Sequence, residues 1–326
     1  MALIDSFGRR INYLRLSVTD RCNLRCRYCM PAEGVPLIPH DQLLSYGELL
    51  RISREAVAVG IEKIRVSGGE PLVRKGIVPF LARLAQVKGL RELVLTTNGI
   101  LLEEMAQELC EAGVHRLNIS LDSLKPERYA AITRGGVLAQ ALTGIEAAER
   151  AGFPAPKINV VLMRGVNDDE ILDFVELTRR RPFSVRFIEY MPTCNGSDWR
   201  ELSVPGDSVL ERVARHYPVE ELGRGERSGP AKNFRIPGAA GSFGIITAMT
   251  GHFCDSCNRL RVTSTGLAKG CLFAEGGVEL RPVLALGDDA LLRGELKRIV
   301  QAKPVGHSLT EPKHTGRQFA MSGIGG

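Results

Sequence analysis

Within the first 190 residues, six short runs rich in Val, Ile and Leu are separated by five longer segments with apolar residues at helical spacing. The runs are Ile11–Thr19, Lys63–Ser67, Leu93–Thr97, Arg116–Leu121, Ile158–Met163 and Ser184–Glu189, bounded by Gly, Asn or Asp as strands are. The helical segments are Ser45–Val59, Ile77–Val87, Leu101–Ala112, Ala139–Ala151 and Asp169–Arg179. Parallel strands need a crossover connection and a helix supplies it, so βα units in series restrict the chain to a parallel sheet. Six units are two short of a closed (β/α)8 barrel. The expectation is therefore an α/β fold, an incomplete (β/α)6 TIM-like barrel over residues 1–200.

Beyond residue 200 the rhythm changes. Gly223–Gly229 is polar and glycine-rich and reads as a mobile loop. Phe234–Ile236, Phe243–Thr247, Leu260–Thr263 and Leu267–Phe273 read as short antiparallel strands, and Asp288–Ala302 as a helix. Residues 201–326 are expected to pack on the barrel as an antiparallel β layer closing its open side. A hydrophobic content of 44% supplies a sizeable core. No apolar run approaches the roughly 18–20 residues that span a bilayer, which argues against a membrane protein. The first ten residues lack a basic region followed by an apolar stretch, so a cytoplasmic location is expected, where eight cysteines are ligands or core residues sooner than disulfides. A formal charge of +6 suits a small anionic ligand held by a few arginines, or a nucleic acid held loosely; without dense Lys/Arg blocks nothing argues for nucleic acid by itself, and no nucleic-acid partner is expected.

Polar residues gather just past the expected carboxyl ends of the strands: Cys22, Ser67-Gly-Gly-Glu70, Thr96-Thr-Asn-Gly99, Ser120-Leu-Asp122 and Tyr190-Met191. Ligands bind at that edge in parallel α/β folds.

The cysteines fall into two trios. Cys22, Cys26 and Cys29 have C-x3-C-x2-C spacing, and thiolates so close can fold around one iron–sulfur cubane. Three thiolates leave one of four irons open to another ligand. The competing reading is a zinc knuckle completed by His40 or a distant group. Cys254, Cys257 and Cys271 form the second trio, C-x2-C-x13-C, which read alone suits a zinc site with His252 equally well. Beside the first trio, a second open cluster is the better reading. Cys110 lies in a helical run and reads as core, while Cys194 stays undecided. Arg259 and Arg261 project to one face of a strand, a fork suited to phosphate oxygens.

The first spacing resembles the radical S-adenosylmethionine (SAM) superfamily, whose defining motif it is. Asp20 to Pro31, Phe187 to Pro192, Cys254 to Arg261, Cys271 to Phe273 and Met321-Ser-Gly-Ile-Gly-Gly326 together resemble the GTP 3′,8-cyclases of molybdenum cofactor biosynthesis, over almost the whole chain. The resemblance implies two [4Fe-4S] clusters, on Cys22, Cys26 and Cys29 and on Cys254, Cys257 and Cys271. It implies SAM contacts at Tyr28, Gly69, Ser120 and Met191. GTP contacts are implied at Arg15, Arg65, Thr96, Lys157 and the Arg259, Leu260, Arg261 segment, with Arg186 a further candidate. Gly325 and Gly326 would enter the active site and assist catalysis. The implied reaction begins with reductive cleavage of SAM, continues with hydrogen abstraction from C3′ of the ribose, and closes a bond to C8 of guanine. A reductant such as flavodoxin or ferredoxin, a pathway partner, cyclic pyranopterin monophosphate synthase, and a homodimer are implied as well. An alternative is another radical SAM enzyme with an auxiliary cluster, acting on peptide or RNA; the peptide-maturing ones usually carry more C-terminal cysteines. Two details sit awkwardly: Lys157 falls at the start of the fifth strand, away from the active rim, and Thr265-Gly266 stands where Asp-Gly is often found.

Overall fold

The structure is a computed structural model that describes residues 2–192, 199–223, 225, 229–251, 253–274, 276–306 and 321. The six expected strands form within two residues of their expected bounds: β1 (Tyr13–Ser17), β2 (Lys63–Ser67), β3 (Glu92–Thr97), β4 (Arg116–Ser120), β5 (Lys157–Leu162) and β6 (Ser184–Glu189). Helices α1 (Tyr46–Ala58), α2 (Ile77–Ala85), α3 (Leu102–Glu111), α4 (Pro126–Thr133), α5 (Leu138–Arg150) and α6 (Ile171–Arg180) connect them. Local chemistry sets their ends. Ser45 and Glu48 cap α1 reciprocally, with Ser45 N–H donating to the Glu48 carboxylate at 2.7 Å and Glu48 N–H to Ser45 Oγ at 3.2 Å. Helix α4 escapes the sequence reading, because Pro126–Thr133 is short and only weakly amphipathic.

The remaining elements are α7 (Trp199–Leu202), α8 (Gly206–Ala214), β7 (Glu220–Leu222), β8 (Lys232–Arg235), β9 (Ser242–Ile246), β10 (Arg259–Val262), β11 (Leu267–Lys269), β12 (Val278–Glu279), α9 (Arg281–Ala285) and α10 (Asp289–Gln301). Their arrangement corrects the expectation of a separate antiparallel layer. Among the described residues twelve strands form one mixed sheet in the order β12-β11-β10-β1-β2-β3-β4-β5-β6-β9-β8-β7. β10 runs parallel to β1 and β9 parallel to β6; only the outer pairs are antiparallel. The physical reason lies at the edges. A six-stranded parallel sheet leaves two rows of unpaired N–H and C=O groups, and the C-terminal strands satisfy both.

The two faces of this sheet differ sharply. Leu14, Leu16, Ile64, Val66, Leu93, Leu95, Leu117, Ile119, Ile158, Val160, Val185, Phe187, Leu260 and Val262 are buried on the face covered by helices. The alternate residues face the other way, and they are largely polar. Among the described residues no helix is long and apolar enough to cross a membrane.

Candidate active site

A barrel interior is ordinarily packed with branched aliphatic side chains. Here the alternating face presents Tyr13, Arg15 and Ser17 on β1, Arg65 and Ser67 on β2, Thr96 on β3, Asn118 and Ser120 on β4, Asn159 on β5, Arg186 on β6, and Arg259 and Arg261 on β10. Arg15, Arg65, Arg186, Arg259 and Arg261 line one cavity of about 270 Å³. Since β6 and β10 stand on opposite flanks of the first strands, the sheet curves around that space.

The first cysteine trio closes one side. Its loop is pinned to the end of α4 by Arg25 N–H to Thr133 O at 3.0 Å and Arg27 N–H to Ile132 O at 2.9 Å. Cys29 N–H and Met30 N–H both donate to Cys26 O, at 2.9 and 3.1 Å, which folds the trio into a turn. All three thiols line the cavity and are half-buried. Burial pushes the Cys22 thiol up, and burial followed by the Asp122 charge holds Cys26 well above the usual thiol range. These thiols keep their protons until a metal displaces them.

Tyr28 and the glycine turn define the wall beside the trio. Tyr28 O–H donates to Asp122 Oδ2 at 2.8 Å, and Asp122 Oδ1 accepts from Val161 N–H at 2.8 Å. Gly69 admits no side chain: a Cβ there would lie 2.2 Å from Arg21 O. Its N–H donates to Thr19 O at 2.7 Å, which seats the turn against the start of the cysteine loop. The buried Glu70 carboxylate accepts from Leu72 N–H, Thr97 Oγ1 and Asn98 N–H at 3.0, 2.8 and 2.7 Å, and burial raises its pKa to about 7. Ser120 and Met191 line the same cavity, as do Tyr28 and Gly69. The four residues expected at SAM thus share one wall.

The floor is cationic. Nε of Arg15, Arg65 and Arg186 is buried without a hydrogen-bond partner, as are Thr96 Oγ1, Ser67 Oγ, Tyr13 O–H and both polar atoms of the Asn118 side chain. No ion pair among the described residues engages Arg15, Arg65 or Arg186. Burial, then Arg261 and Arg65, hold the Arg15 guanidinium well below its usual range. Burial and Arg259 bring Arg261 down to about 9, and burial and Arg65 bring Arg186 to about 10. So many unpaired buried donors and like charges are costly unless a polyanion completes them.

Lys157 resolves differently from its place in the sequence. It does begin β5, but its register partner is Asn118 in the middle of β4, so strand stagger brings it level with the sheet's interior. Burial, then Arg186, Arg116, Lys63 and Arg65, lower its pKa to about 6. It lies outside the cavity lining. Leu260 is corrected more firmly: its side chain is fully buried in the apolar core on the opposite face of β10, so it offers the cavity no side-chain contact. Thr265 Oγ1 meets Thr263 Oγ1 at 2.9 Å, and Gly266 takes φ 100°, which makes this pair a turn.

The second trio occupies the facing side. Cys257 N–H donates to Cys254 O at 3.0 Å across a short turn over Phe253–Ser256, and Cys271 follows β11. All three line the cavity that the first trio lines. Arg259 Nη2 donates to Cys257 Sγ at 3.5 Å, and its guanidinium lies 4.7 Å from the Phe253 ring centroid. Burial alone would raise the Cys257 thiol, but the Arg259 and Lys303 charges outweigh it and bring the pKa to about 6. Cys110 is half-buried against the apolar core on α3, as expected. Cys194, His252, Gly325 and Gly326 lie outside the described residues. Met321 lines the cavity.

By donor type both trios suit iron–sulfur ligation: the thiols are undisulfided and open onto a shared space. Among the described residues no three ligating side chains are already gathered closely enough to hold a metal ion, so ligation would draw the thiols of each trio together. Asn159, Arg9 and Lys303 escaped the sequence reading although all three line the cavity. Strand alternation would have found the first, whereas the other two sit in the site through tertiary contacts alone.

Comparison with known proteins gives the same picture. Residues 16–178 match the Radical SAM superfamily and residues 183–309 match Molybdenum Cofactor Synthesis C. A GTP 3′,8-cyclase of Geobacter sulfurreducens is 60% identical over 326 residues, covering 100% of both chains. A GTP 3′,8-cyclase of Moorella thermoacetica is 47% identical over 323 residues, covering 99% of each. Streptococcus suis SuiB bound to S-adenosylmethionine superposes with a TM-score of 0.59 at 15% identity, covering 88% of this chain and 68% of that one, a likeness of fold.

Proposed function

The chain belongs to the radical S-adenosylmethionine superfamily and, within it, to the GTP 3′,8-cyclase family, and on that premise we propose how its residues divide the work. The reaction is the first step of molybdenum cofactor biosynthesis, the cyclisation of GTP to (8S)-3′,8-cyclo-7,8-dihydroguanosine 5′-triphosphate. SAM and an iron–sulfur cluster are its cofactors. The observation that carries the finer reading is one cavity lined by two cysteine trios above a floor in which Arg15, Arg65 and Arg186 have no ion pair among the described residues.

Cys22, Cys26 and Cys29 would hold the SAM-binding cluster, with Tyr28, Gly69, Ser120 and Met191 around the cofactor. Bound there, the cluster and SAM supply the electron and the carbon radical that start the cyclisation. Tyr28, held by Asp122, keeps one wall fixed. Arg15, Arg65, Arg186, Arg259 and Arg261, with Thr96, bind the triphosphate and so place the ribose toward that wall. Cys254, Cys257 and Cys271 would hold a second cluster on the guanine side. The enclosed cavity keeps water and stray reductants from a reactive radical.

We read the curved sheet as an incomplete (β/α)6 barrel, with residues 1–200 handling SAM and residues 201–326 the base. The glycine tail, the homodimer, a flavodoxin or ferredoxin donor, a following cyclic pyranopterin monophosphate synthase and a cytoplasmic setting belong to the same proposal, on family grounds.

The test is anaerobic reconstitution with iron and sulfide. Two cubanes per chain are expected, and a single one refutes the second site. Cys26→Ala should abolish 5′-deoxyadenosine formation, while Cys257→Ala should leave SAM cleavage possible and stop cyclisation of GTP. Cyclised product from Cys257→Ala at the parent rate would reject the role given to the second trio.

A further inference from the structure

The second trio is held together by a residue outside every motif. Lys303 follows α10, is 4% exposed, and reaches back into the site. Its Nζ donates to Arg259 O at 2.9 Å and to Gly270 O, and it lies 3.9 Å from Cys257 Sγ. Those carbonyls stand two residues after Cys257 and one before Cys271. One ammonium therefore bridges the two chain segments that present these thiols.

Two further observations show that the position is built. Gly270 leaves the space through which the lysine stem passes, since a Cβ there would lie 2.7 Å from Lys303 Cγ. Arg9 fixes the adjoining backbone, with Nη1 donating to Cys254 O at 2.9 Å and Val305 O at 3.0 Å, and Nη2 to Pro304 O at 2.7 Å. The two cations differ in their charge balance. Arg9 has Asp5 at 2.6 Å. No carboxylate among the described residues forms an ion pair with Lys303, and its polar neighbours are neutral carbonyls and sulfur. A buried ammonium persists where an anion offsets it, and here the anion is what the thiols become once a metal binds.

We propose that Lys303 is the positioning residue of the second cysteine trio, fixing the Cys257 and Cys271 segments together and setting the charge beside the group they hold. The proposal rests on the reading of that trio as cluster ligands. A cluster bound through three thiolates is negative overall, and reduction adds another negative charge. Net charge and hydrogen bonds to sulfur tune cluster potentials, so a fixed cation at this distance raises the reduction potential.

The experiment isolates the second site in a Cys22→Ala/Cys26→Ala/Cys29→Ala background, loaded anaerobically with iron and sulfide. Iron content, the electron paramagnetic resonance spectrum and the midpoint potential are read for that parent and for K303M, K303Q and K303R within it. K303Q keeps a hydrogen-bond donor without the charge. It should bind a cluster whose potential is more negative than the parent's. K303M should in addition lose most of its bound iron, and K303R should retain both iron and potential. Parent-like iron and potential in both K303M and K303Q overturn the proposal. So does K303R falling as far as K303M, since charge would then not be the property that matters. A parent background that binds no cluster is a separate result: it refutes the cluster reading itself, and the role of Lys303 with it.

Discussion

Arg186 is 6% exposed, its Nε has no partner, and among the described residues no carboxylate forms an ion pair with it, which makes it a liability to the fold without a bound anion. Replacing it should therefore move stability and binding in opposite directions. Arg186→Met is expected to stabilise the ligand-free fold by roughly 1–2 kcal/mol, because an uncompensated buried charge gives way to an apolar chain. The same change should weaken GTP binding by about 1.5–3 kcal/mol, the value of a charged hydrogen bond. Chemical denaturation and calorimetric titration measure the two, and a loss in both would contradict this account of the floor. Lys157 carries a proton signature. Its folded pKa is about 6 against an ordinary 10.5, so between those values the folded protein holds it neutral while the unfolded chain holds it charged. Its contribution is thus destabilising, fully so below about 6, and fades as pH rises toward 10.5. Lys157 stands outside the cavity lining, but a triphosphate bound beside Arg186 and Arg65, whose charges depress it, would favour its charged form through space, so GTP binding at pH 8 should take up a proton that Lys157→Met does not. Titrations in buffers of different ionisation enthalpy would reveal it, and no uptake would put the triphosphate out of reach of this lysine's charge. Arg259 and Arg261 were legible in the sequence because strand alternation puts them on one face, whereas Arg15, Arg65 and Arg186 came from the family resemblance. Lys303 was not legible, since nothing local marks a lysine after a helix as belonging to a site formed 30 to 50 residues earlier.

Among the elements, the join between β6 and the C-terminal part depends on one carboxylate. Glu189, 2% exposed, accepts from Gly206 N–H at 2.8 Å, Met249 N–H at 2.7 Å, Thr250 N–H at 3.0 Å and Thr250 Oγ1. Glu189→Ala would leave two buried backbone donors, Gly206 N–H and Met249 N–H, without an acceptor, at about 1–3 kcal/mol each, while water can replace it at the more exposed Thr250 N–H. A loss of at least about 2 kcal/mol in urea unfolding is expected, and less than about 1 would show that the join does not depend on this side chain. Apolar periodicity located the six central strands, because buried parallel strands carry it plainly. It failed for Glu220–Leu222 and Val278–Glu279, two or three residues long, whose pairing is set by neighbours distant in the chain. The supposed closing layer failed for a related reason. Phe243–Thr247 and Leu260–Thr263 read as strands from their own residues, but whether a strand pairs parallel or antiparallel is decided by its partner.

At the scale of the molecule, the cavity concentrates positive charge that only a ligand removes. Tripolyphosphate should therefore raise the melting temperature of the metal-free protein above that in sodium chloride of equal ionic strength, by mass action on the folded state. An Arg65→Met/Arg186→Met variant should lose most of that increment. Equal protection by both salts would mean screening, not binding. The same sheet bears on how the molecule is made. Asn12, just before the first strand, bonds through its carboxamide to Asn258, 246 residues later, and the neighbouring backbones run in register from Tyr13 with Arg259. A ribosome must therefore deliver nearly four-fifths of the chain before the outer edge of the first strand finds its neighbour. Contacts so distant slow folding. Through most of translation the nascent protein therefore carries an unsealed flank, an open row of backbone donors and acceptors that another chain could pair with.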